Sequence, residues 1–183
     1  LPTMHLTEAT CYDIEAPTLL ALLPKLHLNR NMARSIVFGP LKYGGLGIRT
    51  LYSIQSIGQL TLFVGHNRAN DKTATLLRIS LSYLQIIVGT STPVLSLPFK
   101  TYSAWVEPYW LVSFWGFLDK SQLTAVVRKQ WIPPLTRIED IALMDHFVRQ
   151  GYKPTQLAQL NRCRLYLQAI TLADIVSADG QCI

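Results

Sequence analysis

A mainly α fold, a bundle-like array of helices with one or two short strands, is predicted by three features of the sequence. Thr7, Thr50 and Asp71 are good helix caps, and each stands just ahead of a stretch that reads as helix. Glycine and proline punctuate the chain between such stretches, at Gly39-Pro40, Gly89 and Gly151. Strand-like sequence is limited to residues 35–38 and 124–127.

Thr7 caps a first helix over 8–23, with acidic residues in its opening turns, where the helix dipole favours them; Pro17 kinks it or starts a second segment. Residues 28–40 form a loop leading into an extended piece at 35–38, closed by Gly39 and Pro40. Leu51, Ile54, Ile57, Thr61 and Leu62 then recur at helical spacing, placing a helix over 50–64. Asp71 caps another to about Val88, ended by Gly89, and the two imply an antiparallel hairpin turning at 66–70.

Eight of the 18 aromatic residues fall between Phe99 and Phe117. On a helix beginning near Pro108, Trp110, Phe114 and Phe117 share one stripe and Leu111, Trp115 and Leu118 another, so this helix packs on more than one side. After the Trp131-Ile-Pro-Pro loop, Ile138, Ile141, Met144, Phe147 and Val148 make an apolar face opposite Glu139, Asp140, Asp145, His146 and Arg149. Thr155 caps a last helix to about Ile170, with a short turn at 172–176.

A chain of 183 residues can bury a sizeable core. Charged residues make up 15%, against a usual share of about 25%, and mean hydropathy is +0.21, so the surface is expected to meet other protein. The chain opens on Leu1 without a basic and then apolar leader, which reads as a piece of a larger protein lacking a signal peptide. Cys11, Cys163 and Cys182 are odd in number and widely spaced, arguing against a disulfide framework and against zinc, and for an intracellular setting, nucleus or cytoplasm. Residues 79–99 are uncharged, but serines, threonines, Gln85, Pro93 and Pro98 interrupt them; no membrane partner is expected.

The net charge of +6 is unevenly placed. Residues 1–24 hold Glu8, Asp13 and Glu15 and no base; residues 25–70 hold Lys25, Arg30, Arg34, Lys42, Arg49 and Arg68 and no acid. An acid-free basic stretch attracts a polyanion, because each phosphate it neutralises releases counterions.

The glycine cluster at 44–47 fits neither phosphate-binding template. No Lys followed by Ser or Thr comes after Gly47, and Thr50 stands where a dinucleotide fingerprint needs glycine. Gly44, Gly45 and Gly47 instead supply positive φ, close backbone approach and a change of direction, with exposed amides that could touch a nucleic-acid backbone beside Lys42 and Arg49. His5, His27, His66 and His146 have no ligand-spaced partners, Asp13 and Glu15 point to different faces of a helix, Glu139-Asp140 reads as a solvated first turn, and no Gly-x-Ser-x-Gly elbow occurs. The chain itself therefore carries no recognisable catalytic residues, metal ligands or cofactor site.

The stretches NRNMARSIVFGP (29–40) and YGGLGIR (43–49) resemble the segment just after the polymerase palm in reverse-transcriptase-like proteins of non-LTR retrotransposons. LNRCRLYLQ (160–168) and TLADI (171–175) are similar to the downstream part of such transposon-derived reading frames. The resemblance implies thumb-like helices and the glycine turn over 1–49 and a helical post-thumb connection over 50–183, packed with it as one unit. It implies RNA or DNA backbone and the upstream palm as partners, with Lys25, Arg30, Arg34, Lys42 and Arg49 on phosphates. The family's paired catalytic aspartates have no counterpart here, so RNA-directed DNA polymerase activity, with its Mg²⁺, is expected only in the palm of a parent protein. The alternative is a helical interaction module that docks on protein, chiefly through residues 108–118, without a nucleic-acid role.

Overall fold

The computed structural model describes residues 5–177 and is mainly α. Among the described residues the helices are α1 (Glu8–Lys25), α2 (Arg34–Val37), α3 (Leu51–Ala69), α4 (Lys72–Val88), α5 (Phe99–Tyr102), α6 (Trp110–Lys120), α7 (Leu143–Arg149) and α8 (Pro154–Tyr166), with single 3-10 turns between some of them. The expected strands do not form there: residues 124–127 are irregular, and the single β-type pairing is an isolated antiparallel bridge between Ala142 and Thr171. The chain divides into two compact units between Leu62 and Phe63, within α3.

In the first unit, the Thr7 hydroxyl accepts the Thr10 amide at 3.1 Å and so starts α1. The helix continues through Pro17 and Pro24. It ends where His27 turns left-handed, φ 58°, and the Leu28 amide reaches back to the Leu23 carbonyl at 3.0 Å. Leu19, Leu23 and Val37 form a small buried core, with Leu28, Met32, Phe38, Leu46 and Ile48 packed around it.

Residues 34–37 are one helical turn, not the extended piece their β-branched composition predicts. The amides of Val37 and Phe38 bond the carbonyls of Ala33 and Arg34, and those of Leu46 and Ile48 take the carbonyls of Ile36 and Val37. Tertiary hydrogen bonding thus overrides strand propensity. At the start of α3 the Thr50 hydroxyl accepts the Ser53 amide at 3.1 Å, and the Glu15 carboxylate accepts that of Leu51.

In the second unit, Asp71 accepts the Ala74 amide at 2.8 Å and starts α4. His66 Nδ1 lies 2.6 Å from the same carboxylate, and this bond, reinforced by that amide, holds Asp71 below the usual carboxylate range. Ala74, Leu77, Leu81, Leu84 and Val88 bury one face of the helix. Leu111, Val112, Phe114, Trp115 and Leu118 of α6 are also buried. Phe63 lies 4.9 Å from Phe114, Phe99 meets Trp115 edge-on at 5.1 Å, and the Trp115 indole donates to the Leu97 carbonyl at 2.9 Å.

The amphipathic face expected over 138–148 is only partly helical, because α7 begins at Leu143. Ile138 is 97% exposed, and Asp140 and Asp145, expected on a solvated side, are buried. Asp140 accepts the amides of Thr136, Ile141 and Ala173 at 3.0–3.1 Å. Burial works to raise its pKa, but those amides and the Thr171 hydroxyl outweigh it and hold the group below its usual value. Asp145 accepts the Ser91 amide and hydroxyl and the Tyr102 hydroxyl, each at 3.2 Å. Both carboxylates therefore serve as internal caps for irregular backbone.

Helix α8 ends short of Ile170, because Gln168 turns left-handed, φ 56°, and the Ala169 amide bonds the Arg164 carbonyl. Arg164 itself is 3% exposed. Its Nη2 donates to the carbonyls of Ile86 (2.7 Å) and Ile87 (3.0 Å) at the end of α4, and Nη1 donates to that of Ala169 (3.3 Å). Nε and Nη2 share Asn161 Oδ1 at 3.1 and 2.7 Å. Burial pulls its pKa down to about 10, which leaves it charged at neutral pH, against the negative end of the α4 dipole. Gly89 makes room for it: φ is +74°, and a Cβ there would stand 2.6 Å from the guanidinium carbon.

Arg164→Met should strand those carbonyls and lower stability by about 3 kcal/mol or more, read as a fall in the urea midpoint at unchanged slope. Arg164→Lys should recover only part of the loss. Asp140→Asn should lose about 1–3 kcal/mol at neutral pH. Because the folded pKa of Asp140 is depressed, its contribution is present above the unfolded value of 3.8 and disappears as pH falls through the folded one. Denaturation midpoints of the two proteins should therefore converge in acid.

Candidate nucleic-acid interface

The residues expected to touch phosphate all lie in the first unit, and four of the five are borne by segments that enclose its small core. Lys25 follows Leu23 at the end of α1, Arg30 lies between Leu28 and Met32, Arg34 opens α2 ahead of Val37, and Arg49 follows Ile48. Lys42 stands apart, on the 3-10 turn Leu41–Tyr43, whose flanking Leu41 and Tyr43 are 75% and 78% exposed. Its ammonium sits 5.6 Å from the centre of the Tyr43 ring.

Lys25, Arg30, Lys42 and Arg49 are exposed. None of the five forms an ion pair among the described residues. Glu15, the last acid before residues 25–70, is turned to the first amide of α3, and burial raises its pKa. Arg34 differs from the other four. It is half-buried, and its Nη1 is shut off from water with no hydrogen-bond partner.

The glycine turn is built for close packing. Gly44 and Gly47 have φ of +80° and +66°, and a Cβ on Gly45 would run into the backbone of Gly39. The amides of Gly44, Gly45, Leu46, Gly47 and Ile48 donate to the carbonyls of Leu41, Pro40, Ile36, Gly39 and Val37 respectively, at 2.8–3.3 Å. The expectation that exposed amides here meet a nucleic-acid backbone is therefore corrected: five consecutive donors are already engaged internally. Any contact with phosphate falls to the side chains.

Among the described residues no group of three or more His, Cys, Asp or Glu side chains gathers to hold a metal ion. Cys11 is buried, and burial, with Glu15 and Glu8 nearby, pushes its thiol pKa up; Cys163 is exposed and Cys182 lies outside the described residues. No helix among them is long and apolar enough to cross a membrane. No family model, curated protein or solved structure matches the chain.

Sequence reading brings the five cations to one unit but takes all five as equally exposed. The signal that sets Arg34 apart is Val37 three positions later, which puts both on one face of a helical turn and not on opposite faces of a strand. Gly44→Ala, strained by positive φ alone, should cost about 1–2 kcal/mol. Gly45→Ala should cost more, since backbone must move, and paired thermal melts would rank them.

Proposed function

We propose that this chain is a non-catalytic segment of a retrotransposon RNA-directed DNA polymerase that positions primer and template by gripping their backbone. The observation carrying this reading is the set of four exposed cations, free of ion pairs, in an acid-free span of the first unit. Charge of one sign without internal counter-charge is held ready for an external polyanion. Such contacts fix position on a duplex without reading its sequence. In this reading the parent's polymerase chemistry and its Mg²⁺ belong to the palm.

The alternative, a protein-docking module, finds little free surface on the α6 stripes, since Leu111, Phe114, Trp115 and Leu118 are buried in their own unit. What favours it is α1, where Tyr12, Ile14, Leu20 and Leu22 are 38–60% exposed.

Filter binding to duplex at several salt concentrations separates the two. Arg30→Glu with Arg49→Glu, both exposed, should weaken binding and flatten the plot of log affinity against log salt by about 2, near 0.9 for each lost phosphate contact. An unchanged slope in a variant with wild-type circular dichroism would remove the nucleic-acid assignment and leave the docking module.

A further inference from the structure

A helix that buries one face in its own unit ordinarily turns polar and charged side chains to water on the other. Helix α4 does not. Its buried face carries Ala74, Leu77, Leu81, Leu84 and Val88, yet from Leu76 to its end the exposed positions are Leu76, Ile79, Tyr83 and Ile86, all apolar or aromatic and 36–63% exposed. Arg78, the one charged residue in that span, is half-buried and bonds Asn70 and Thr75. The four exposed residues follow one another by three, four and three positions, the spacing of a seam between two helices. A continuous apolar stripe of this kind marks a contact surface.

The Trp105 indole nitrogen and the Tyr109 hydroxyl, elsewhere in this unit, lack hydrogen-bond partners but are closed to solvent, so they offer nothing to an incoming chain. The stripe on α4 is open. Its layout is symmetric about Leu81: Ile79 and Tyr83 lie two positions to either side, Leu76 and Ile86 five. An identical helix laid antiparallel therefore sets Leu76 against Ile86 and Ile79 against Tyr83 at both ends, and one patch serves as both halves of a two-fold contact.

Charge selects the same arrangement. The cations of α4, Lys72 and Arg78, lie in its first half, and the helix contains no acid. Parallel pairing would set each cation beside its own copy, a destabilising contact. Antiparallel pairing sets them against the uncharged second half of the neighbour and opposes the two helix dipoles. Tyr83 and Ile87 in that half line a cleft with Glu107 and Arg162 in its wall, so Lys72 arrives where a carboxylate is present and positive charge is not in surplus.

We propose that the exposed stripe of α4 pairs two copies of this chain, helix against helix and antiparallel. One helix a side is small beside the roughly 800 Å² per partner of a standard interface, so the pair is reversible and forms at concentrations of about 10–100 µM. Nothing in this inference draws on the first unit or on nucleic acid, and it stands or falls apart from the function proposed above.

Sedimentation equilibrium of the full chain without nucleic acid, from about 1 to 200 µM, tests it. The expected mass rises with concentration from 20.6 kDa to twice that value. Ile79→Lys, at an exposed position, should weaken association by about ten-fold or more while keeping the wild-type circular dichroism. Register is read by crosslinking in a Cys163→Ser, Cys182→Ser background. A short bismaleimide should join Leu76→Cys to Ile86→Cys when the two proteins are mixed, and neither to itself. A chain that stays monomeric throughout the range, a dimer indifferent to Ile79→Lys, or crosslinking of Leu76→Cys to its own copy overturns the proposal.

Discussion

A single guanidinium, withdrawn from water without a carboxylate to neutralise it, organises the second unit. Arg164 is held by backbone carbonyls and by the amide oxygen of Asn161, so the ends of α4 and α8 are tied by one side chain. The fork geometry matters more than the charge, since a point charge cannot serve carbonyls in several directions at once. Much of the surrounding backbone follows from that placement. Gly89 must be glycine to let the guanidinium in, the chain must then leave α4 at once, and Gln85 gathers the emerging segment through Thr90, Thr92 and Val94. Asp145 fastens the same segment at Ser91.

The first unit solves a similar problem with backbone alone. Its core is small, Leu19, Leu23 and Val37, and the loop that closes over it is held by consecutive amides donating back to the end of α2. A turn whose donors face inward has no concavity for an anion. This separates it physically from phosphate-binding glycine loops, in which the same amides face the ligand.

Helix starts were legible because their chemistry is local. Thr7, Thr50 and Asp71 each accept an amide three residues on, and the apolar spacing of α4 matches its buried face. Helix ends were less so. Four helices close on left-handed residues that are not glycine, His27, Asn70, Gln122 and Gln168, and only the asparagine carries a compositional flag. Residues 35–38 looked extended because Ile and Val favour strands, but their amides turn back to Ala33 and Arg34, and the remaining carbonyls are taken by Leu46 and Ile48. The buried roles of Asp140, Asp145 and Arg164 were invisible for the same reason: a charged residue declares itself as surface until the amides and carbonyls that surround it are placed. The unpaired donors Trp105 and Tyr109 were hidden inside an aromatic run that reads as core.

The Tyr109 hydroxyl has a consequence for descent. Selection for folding alone would exchange it for phenylalanine, since nothing inside the chain needs the oxygen. Burial pushes that hydroxyl's pKa up to about 12, so it stays a neutral donor across the physiological range and its retention cannot be credited to ionisation. Where descendants of this chain diverge, Tyr109 should therefore give way to phenylalanine sooner than Tyr102, whose hydroxyl is held by Asp145.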